Sequence, residues 1–267
     1  MRVLLLSILS ALLIIGASVV PASAEVPQVW EIAVLRYGAL DAVCNGVRVT
    51  DITTAAERDT AEQAMREFKQ RAEAKSDGNL DIRLTFMGRG ELTQVSRLDP
   101  VRCWPSEGDI RDMGDWPSGY DTVYVLHAGN ELHGYLGLGI DPYDGTSATY
   151  ATMPIWERDA EHWYGDLSWN SSTVSGLVHE WLHGVHGFYR WKGYSEQQLP
   201  DLHSPHLYGY SGENNWAQWY NHYLGGDIET GSDTVGLERF VWSSGSPTTV
   251  SGSNNDGPVD KLENPID

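Results

Sequence analysis

Residues 29–37 (VWEIAVLRY) pack β-branched and aromatic side chains at the density of a buried strand. Residues 53–75 then turn to Ala, Glu, Arg and Gln with helical spacing, which predicts a helix. Residues 80–86 alternate apolar with polar positions and residues 121–127 form a short apolar run, so two further strands follow. Between them, residues 98–120 read as a loop rich in Pro, Gly and Asp. A fourth and fifth strand are expected at 135–140 and 150–155, across the turn-rich stretch 141–146. Ser172 or Thr173 is suited to cap a helix from about Val174 to His186, with Gly187 as its terminator. Residues 216–223 (WAQWYNHY) predict a short aromatic helix. Strand, helix and strand in that order open an α/β sheet.

The chain ends are of different material. Arg2, an apolar stretch from Leu4 to Val20, and Ala22-Ser23-Ala24 have the three parts of a cleavable secretory signal peptide over residues 1–24. No later segment is apolar for long enough to span a bilayer, so the expectation is a secreted protein, extracellular or periplasmic, with no membrane contact after cleavage. From Ser243 onward Ser, Gly, Asn, Asp and Pro dominate, and 243–267 reads as a flexible tail behind one domain over 25–242. A total of 267 residues suits one sizeable domain, and the formal charge of −19 argues against a nucleic-acid partner, whose phosphates require Lys and Arg. Export also bears on the two cysteines, since an oxidising compartment favours one structural Cys44–Cys103 disulfide over two thiols. Asn170-Ser171-Ser172 is a glycosylation sequon and carries no functional weight.

The chemistry gathers at His179-Glu180-Trp181-Leu182-His183, an H-E-x-x-H. At about 100° per residue, positions i and i+4 sit about 40° apart on one helix face, so both imidazoles can reach one ion. Neutral imidazole binds Zn²⁺ without cancelling its charge and leaves an open position for a polarised water. Glu180 would then act as general base, passing a proton to a leaving amine. Asp141 and Asp144 could help to hold Ca²⁺, but no EF-hand spacing supports a site there.

On this motif the chain resembles the zincin metallopeptidases. The resemblance extends over residues 26–225, though its specific part is the five-residue motif. It implies an α+β variant of the α/β class: a mixed, mainly parallel sheet with an antiparallel edge strand, above an active-site helix that carries H-E-x-x-H. By that likeness residues 150–155 would be the edge that holds an extended peptide or protein substrate through β-augmentation. The chain departs from the metzincin pattern, with His186 and Tyr189 where Gly and His would stand. Glu196 and Glu213 lie in no recognisable gluzincin partner motif, and the aspzincin pattern is echoed only by Leu207-Tyr208-Gly209.

The third ligand must therefore come from outside the helix. The segment from Pro200 to Tyr210 holds Asp201, His203, His206, Tyr208 and Tyr210. His203 is the first choice; Asp201 would accept the imidazole N–H of a ligand or replace His203, and His206 is a further alternative. Tyr208 or Tyr210 would donate to the developing oxyanion. His186, a turn beyond His183 on the same face, is expected to line the pocket or to touch a ligand. Two other functions remain open: a zincin-like binding protein, for glycans if its 11 Trp and 13 Tyr supply stacking platforms, and a metal-dependent hydrolase of non-protein amides or esters. Oligomeric state and peptide specificity have no readable signal.

Overall fold

The computed structural model describes residues 26–98, 100–129, 132, 138–139, 145, 148–155, 173–210, 215–231 and 233–251. Strand β1 (Gln28–Cys44) turns at Asn45-Gly46, with φ of 51° and 83°, and returns as β2 (Val47–Ile52). Asn-Gly is what a tight hairpin turn with two positive φ angles demands, so a local signal makes a hairpin where no element was expected. Helix α1 (Ala55–Lys75) begins at Thr54 with a capping box closed by Glu57. There follow β3 (Leu80–Leu92), β4 (Ser96–Arg97), β5 (Cys103–Trp104), α2 (Glu107–Asp112), β6 (Thr122–His127), β7 (Leu138–Gly139) and β8 (Thr149–Pro154). The second half holds α3 (Thr173–Trp191), a 3-10 turn (Pro205–Tyr208), α4 (Asn215–Gly225), β9 (Ile228–Glu229), β10 (Thr234–Val235), α5 (Arg239–Trp242) and α6 (Pro247–Ser251).

The protein is mixed α/β, and its described residues form one six-stranded sheet with two two-stranded sheets beside it. Strand β1 pairs in parallel with β3 and β6, and β6 in parallel with β8; β2 on β1 and β7 on β8 are antiparallel. Strand alternation divides the core in two. Trp30, Ile32, Val34, Tyr124, Leu126, Ala151 and Met153 pack with the apolar faces of α1, α3 and α4. Leu35, Tyr37, Val123, Val125 and Tyr150 join a second cluster with Ile110 of α2 and the two cysteines. Cys44 and Cys103 form the expected disulfide, with Cα atoms 5.7 Å apart, and tie the end of β1 to β5.

Four expectations change. Strand β8, read as the edge, is interior: its residues are buried throughout, and the edge position on the path β2-β1-β6-β8-β7 belongs to Leu138–Gly139. A near-continuous apolar run is what an interior strand covered on both faces requires. Helix α3 does not stop at Gly187 but continues to Trp191, because Phe188 and Tyr189 are fully buried and their packing outweighs the roughly 1 kcal/mol that an internal glycine costs. It ends where Gly193, at φ 98°, lets the Gly193 and Tyr194 N–H groups reach the carbonyls of Arg190 and Tyr189. The loop over 98–120 contains β5 and the capped helix α2, which lays Ile110 under the sheet. Finally, the first residues of the expected tail are folded: Thr248 donates both its N–H and its hydroxyl to the buried Asp121 carboxylate, each at 2.7 Å, while Tyr189 Oη donates to the Gly245 carbonyl.

No described helix is long and apolar enough to cross a membrane. Residues 1–24, Asp141, Asp144, Asn170, Glu213 and the stretch after Ser251 lie outside the described residues.

Candidate metal centre

Helix α3 lies against the far end of the sheet, and two glycines let it come that close. A Cβ on Gly184 would stand 2.7 Å from Thr149 Cβ of β8, and one on Gly139 of β7 would stand 2.1 Å from the Glu180 carbonyl oxygen and 2.5 Å from His183 Cβ. Only residues without a side chain fit at these contacts. The turn containing H-E-x-x-H is therefore held under β7 and β8.

From that turn His179 and His183 bring their Nε2 atoms to 3.2 Å of one another. The chain leaves α3 at Gly193, turns at Asp201, and brings back His203, whose ring centroid lies 5.3 Å from that of His179 and 4.8 Å from that of His183. One nitrogen from each of the three imidazoles lies within 4.8 Å of the others; among the described residues this is the group of ligating side chains that could hold a metal ion. His203 is thus where the third ligand was expected. The side chain of His203 is 57% exposed against 17% for His179, so the cluster opens on the His203 side and is closed on the side of the helix.

The electrostatics suit a cation. Burial first, and then the neighbouring His183 and His203, push the His179 pKa down to about 3, so its imidazole is neutral at physiological pH and offers a lone pair. His179 Nδ1 is hydrogen-bonded to the Tyr220 hydroxyl of α4 at 2.5 Å. With a metal ion on Nε2, Nδ1 would carry the proton and donate it to the Tyr220 oxygen, the arrangement that orients a metal-binding imidazole. The donor set fits a divalent ion of the kind that imidazole favours.

Glu180 is only 4% exposed, and its Oε2 accepts the Gly139 N–H of the edge strand at 2.6 Å. Its Oε1 lies 4.0 Å from His179 Nε2, on the cluster's side. Burial, partly offset by the Gly139 hydrogen bond, raises the Glu180 pKa to about 8, above the ordinary carboxylate range. A carboxyl so placed is suited to exchange a proton near neutral pH.

The remaining expectations fare differently. Asp201 does not join the cluster; its Oδ1 accepts the His203 backbone N–H at 3.1 Å and its Oδ2 the Ser204 hydroxyl at 2.9 Å, so it shapes the turn that carries His203. Burial would raise the Asp201 pKa, but these two donors and the nearby His203 and His186 outweigh it and hold the carboxyl low. Its distance of 3.7 Å to His203 Nδ1 is too long for the imidazole hydrogen bond expected of it. His186 packs near Tyr223, ring centroids 6.5 Å apart, and is close enough to Asp201 to help hold that carboxyl low, so it borders the turn. His206 is exposed in the 3-10 turn and Glu196 is exposed on the preceding loop, both outside the group of three. Of the two tyrosines expected to face an oxyanion, Tyr210 has its hydroxyl 2.6 Å from His222 Nδ1, and the Tyr208 ring lies 5.5 Å from that of Trp219. Both contacts are with residues of α4.

The residue that sequence reading missed is Tyr220. It stands 41 residues from His179 with no motif between them, and its only signal was membership of an aromatic helix. No protein-family model and no curated protein sequence matches this chain.

Proposed function

We propose that the protein is a secreted zinc metallopeptidase of zincin type, hydrolysing peptide bonds with Glu180 as general base. The observation that carries this reading is the meeting of His203 with His179 and His183 beside a buried glutamate, four side chains of which the H-E-x-x-H pattern supplies three. The separation of 3.2 Å between the two Nε2 atoms supports zinc, since nitrogens at tetrahedral corners about 2.0–2.1 Å from one ion stand roughly 3.3–3.4 Å apart. His179, His183 and His203 would hold it. Bound there, zinc would supply Lewis-acid polarisation of a carbonyl and of water.

The chain's own residues supply the rest. Gly139 holds one oxygen of Glu180, and the other, which faces the cluster beside His179, would take the proton and return it to the leaving nitrogen. The short edge strand β7 lies antiparallel to β8 at the margin of the sheet, and an extended peptide laid along it would pass the same glutamate. The edge assigned by resemblance to 150–155 moves to Leu138–Gly139 in this reading.

Metal analysis of the purified protein together with a casein digest, with and without chelator, tests the proposal. About one zinc per chain and a chelator-sensitive digest are expected. Stoichiometric zinc with no cleavage of any peptide would favour a binding protein or a hydrolase of non-protein amides or esters.

A further inference from the structure

Helix α4 meets both halves of the His cluster. Tyr220, one turn into the helix and 5% exposed, places its hydroxyl on His179 Nδ1. The neighbours of Tyr220 on the same helix reach the other half: Trp219 Nε1 donates to the Leu202 carbonyl at 2.9 Å, and Tyr223 Oη donates to the Pro200 carbonyl at 3.1 Å. These two carbonyls bracket Asp201, the residue that folds the turn carrying His203. Trp219 and Tyr223 are fully buried, and their rings pack 5.8 Å apart.

We propose that α4 is the positioning element of the metal centre, with Tyr220 fixing the His179 imidazole and Tyr223 and Trp219 fixing the turn that presents His203. Two donors and one acceptor within five residues of one helix set the orientation of ligands from two other segments. None of the three is a catalytic residue: the Tyr220 hydroxyl lies on the Nδ1 side of the His179 ring, away from the nitrogen that faces the cluster. The chemistry of each contact is specific. A phenol oxygen accepting from Nδ1–H holds one imidazole tautomer and one ring orientation, and without it both tautomers of His179 are populated. An indole or phenol donor on a backbone carbonyl fixes where the 200–203 turn stands relative to α3, and thereby the reach of a ligand 20 residues from His183.

This inference rests on the zinc reading, and the test separates the two. Zinc affinity of the purified protein is measured by competition with a chromophoric chelator for the native chain and for Tyr220→Phe, Tyr223→Phe, His203→Ala and the double variant Tyr223→Phe/His203→Ala. Both phenylalanine variants keep the ring and remove only the hydroxyl. Tyr220→Phe is expected to weaken zinc binding by about 10- to 100-fold, as loss of a ligand's hydrogen-bond partner does. Tyr223→Phe is expected to weaken binding in the native background and to have no effect once His203 is Ala, because it acts through that ligand. Two readouts that a general loss of stability would not move accompany the titration: the downfield Nδ1–H resonance of His179 in the zinc-loaded protein, expected to vanish in Tyr220→Phe alone, and the visible spectrum of the cobalt-substituted protein, expected to shift in both hydroxyl variants. Native affinity with an unchanged cobalt spectrum in Tyr220→Phe would overturn the inference while leaving the zinc reading standing. So would an equal effect of Tyr223→Phe with and without His203. A native protein that takes up no zinc would overturn the zinc reading first, and this inference with it.

Discussion

Glu180 and its two histidine neighbours show how much chemistry a single residue's surroundings decide. Burial keeps His179 neutral and pushes Glu180 up to about 8, and both effects come from the same closed floor of helix and edge strand. Glu180→Ala is expected to lower the rate of peptide hydrolysis by about 10²- to 10⁴-fold with zinc retained, since a proton carrier is lost and no ligand is; turnover on casein and metal content, measured side by side, check it. His203→Ala should cost far more zinc affinity than Asp201→Asn. The first removes a donor from the group of three; the second alters a carboxylate whose two oxygens accept from the turn's N–H and hydroxyl, for which a loss of no more than about 10- to 100-fold is expected. Equal affinities for the native protein and His203→Ala would sink the assignment of the third ligand. His179, Glu180 and His183 were legible because their spacing matches the period of the helix that holds them. His203 was legible as a residue type at a workable distance, and Tyr220 not at all, because a contact between two helices leaves no period in either.

At the scale of elements, the site depends on how closely α3 can approach β7 and β8. Gly184 is the contact on the helix. Replacing it by Ala would add helix propensity, worth up to about 1 kcal/mol in isolation, but the new methyl would meet Thr149 Cβ at 2.7 Å. Thr149 cannot easily give way, because its hydroxyl is shared with Thr122 at 2.6 Å and reaches the Asp121 carbonyl at 3.1 Å. Gly184→Ala is therefore expected to destabilise by about 1–3 kcal/mol, the usual cost of forcing atoms into a packed contact. Chemical denaturation gives the sign directly, and a variant as stable as the native protein would show that the helix can shift outward. The strands and helices themselves were largely readable: β1, α1, β3, β6 and α4 stand where alternation, helical spacing and aromatic density predict them. The edge was misplaced although strands were expected at both 135–140 and 150–155, because the order of strands in a sheet depends on pairing between segments and leaves no mark in either one.

For the molecule as a whole, two devices set the conditions under which the fold persists. The Cys44–Cys103 bridge closes a separation of 59 residues and joins the hairpin to the segment that covers the second core. Confining the unfolded chain in this way is worth about 4 kcal/mol, so reduction should lower the unfolding free energy measured by chemical denaturation by that amount. Two alkylatable thiols in the unreduced native protein would contradict the bridge. The other device is His127, fully buried at the end of β6 with its Nδ1 2.6 Å from the Ala128 carbonyl. Burial lowers its pKa to about 4, against about 6.5 when unfolded, so between these values the unfolded chain binds the extra proton. Stability from this group is complete above about pH 6.5 and lost as pH falls to about 4, a change on the order of 3 kcal/mol. Denaturation midpoints measured across that window should fall for the native protein and fall less steeply for His127→Leu, in which His179, with its pKa at about 3, still contributes.

By itself the sequence determined the elements and half of the site. Periods of 2 and 3.6 are properties of neighbouring residues, so strands β1, β3 and β6, helix α1 and the paired imidazoles of His179 and His183 could be read in order along the chain. Tertiary structure alone decided which strand is the edge, that Gly187 continues a helix while Gly139 and Gly184 admit close contacts, and that the tyrosine beside the histidines is Tyr220 rather than Tyr208 or Tyr210. Each of these depends on what lies across the contact. Packing between segments far apart in the chain is fixed by volume, burial and hydrogen-bond geometry in three dimensions, and none of these leaves a repeat in one.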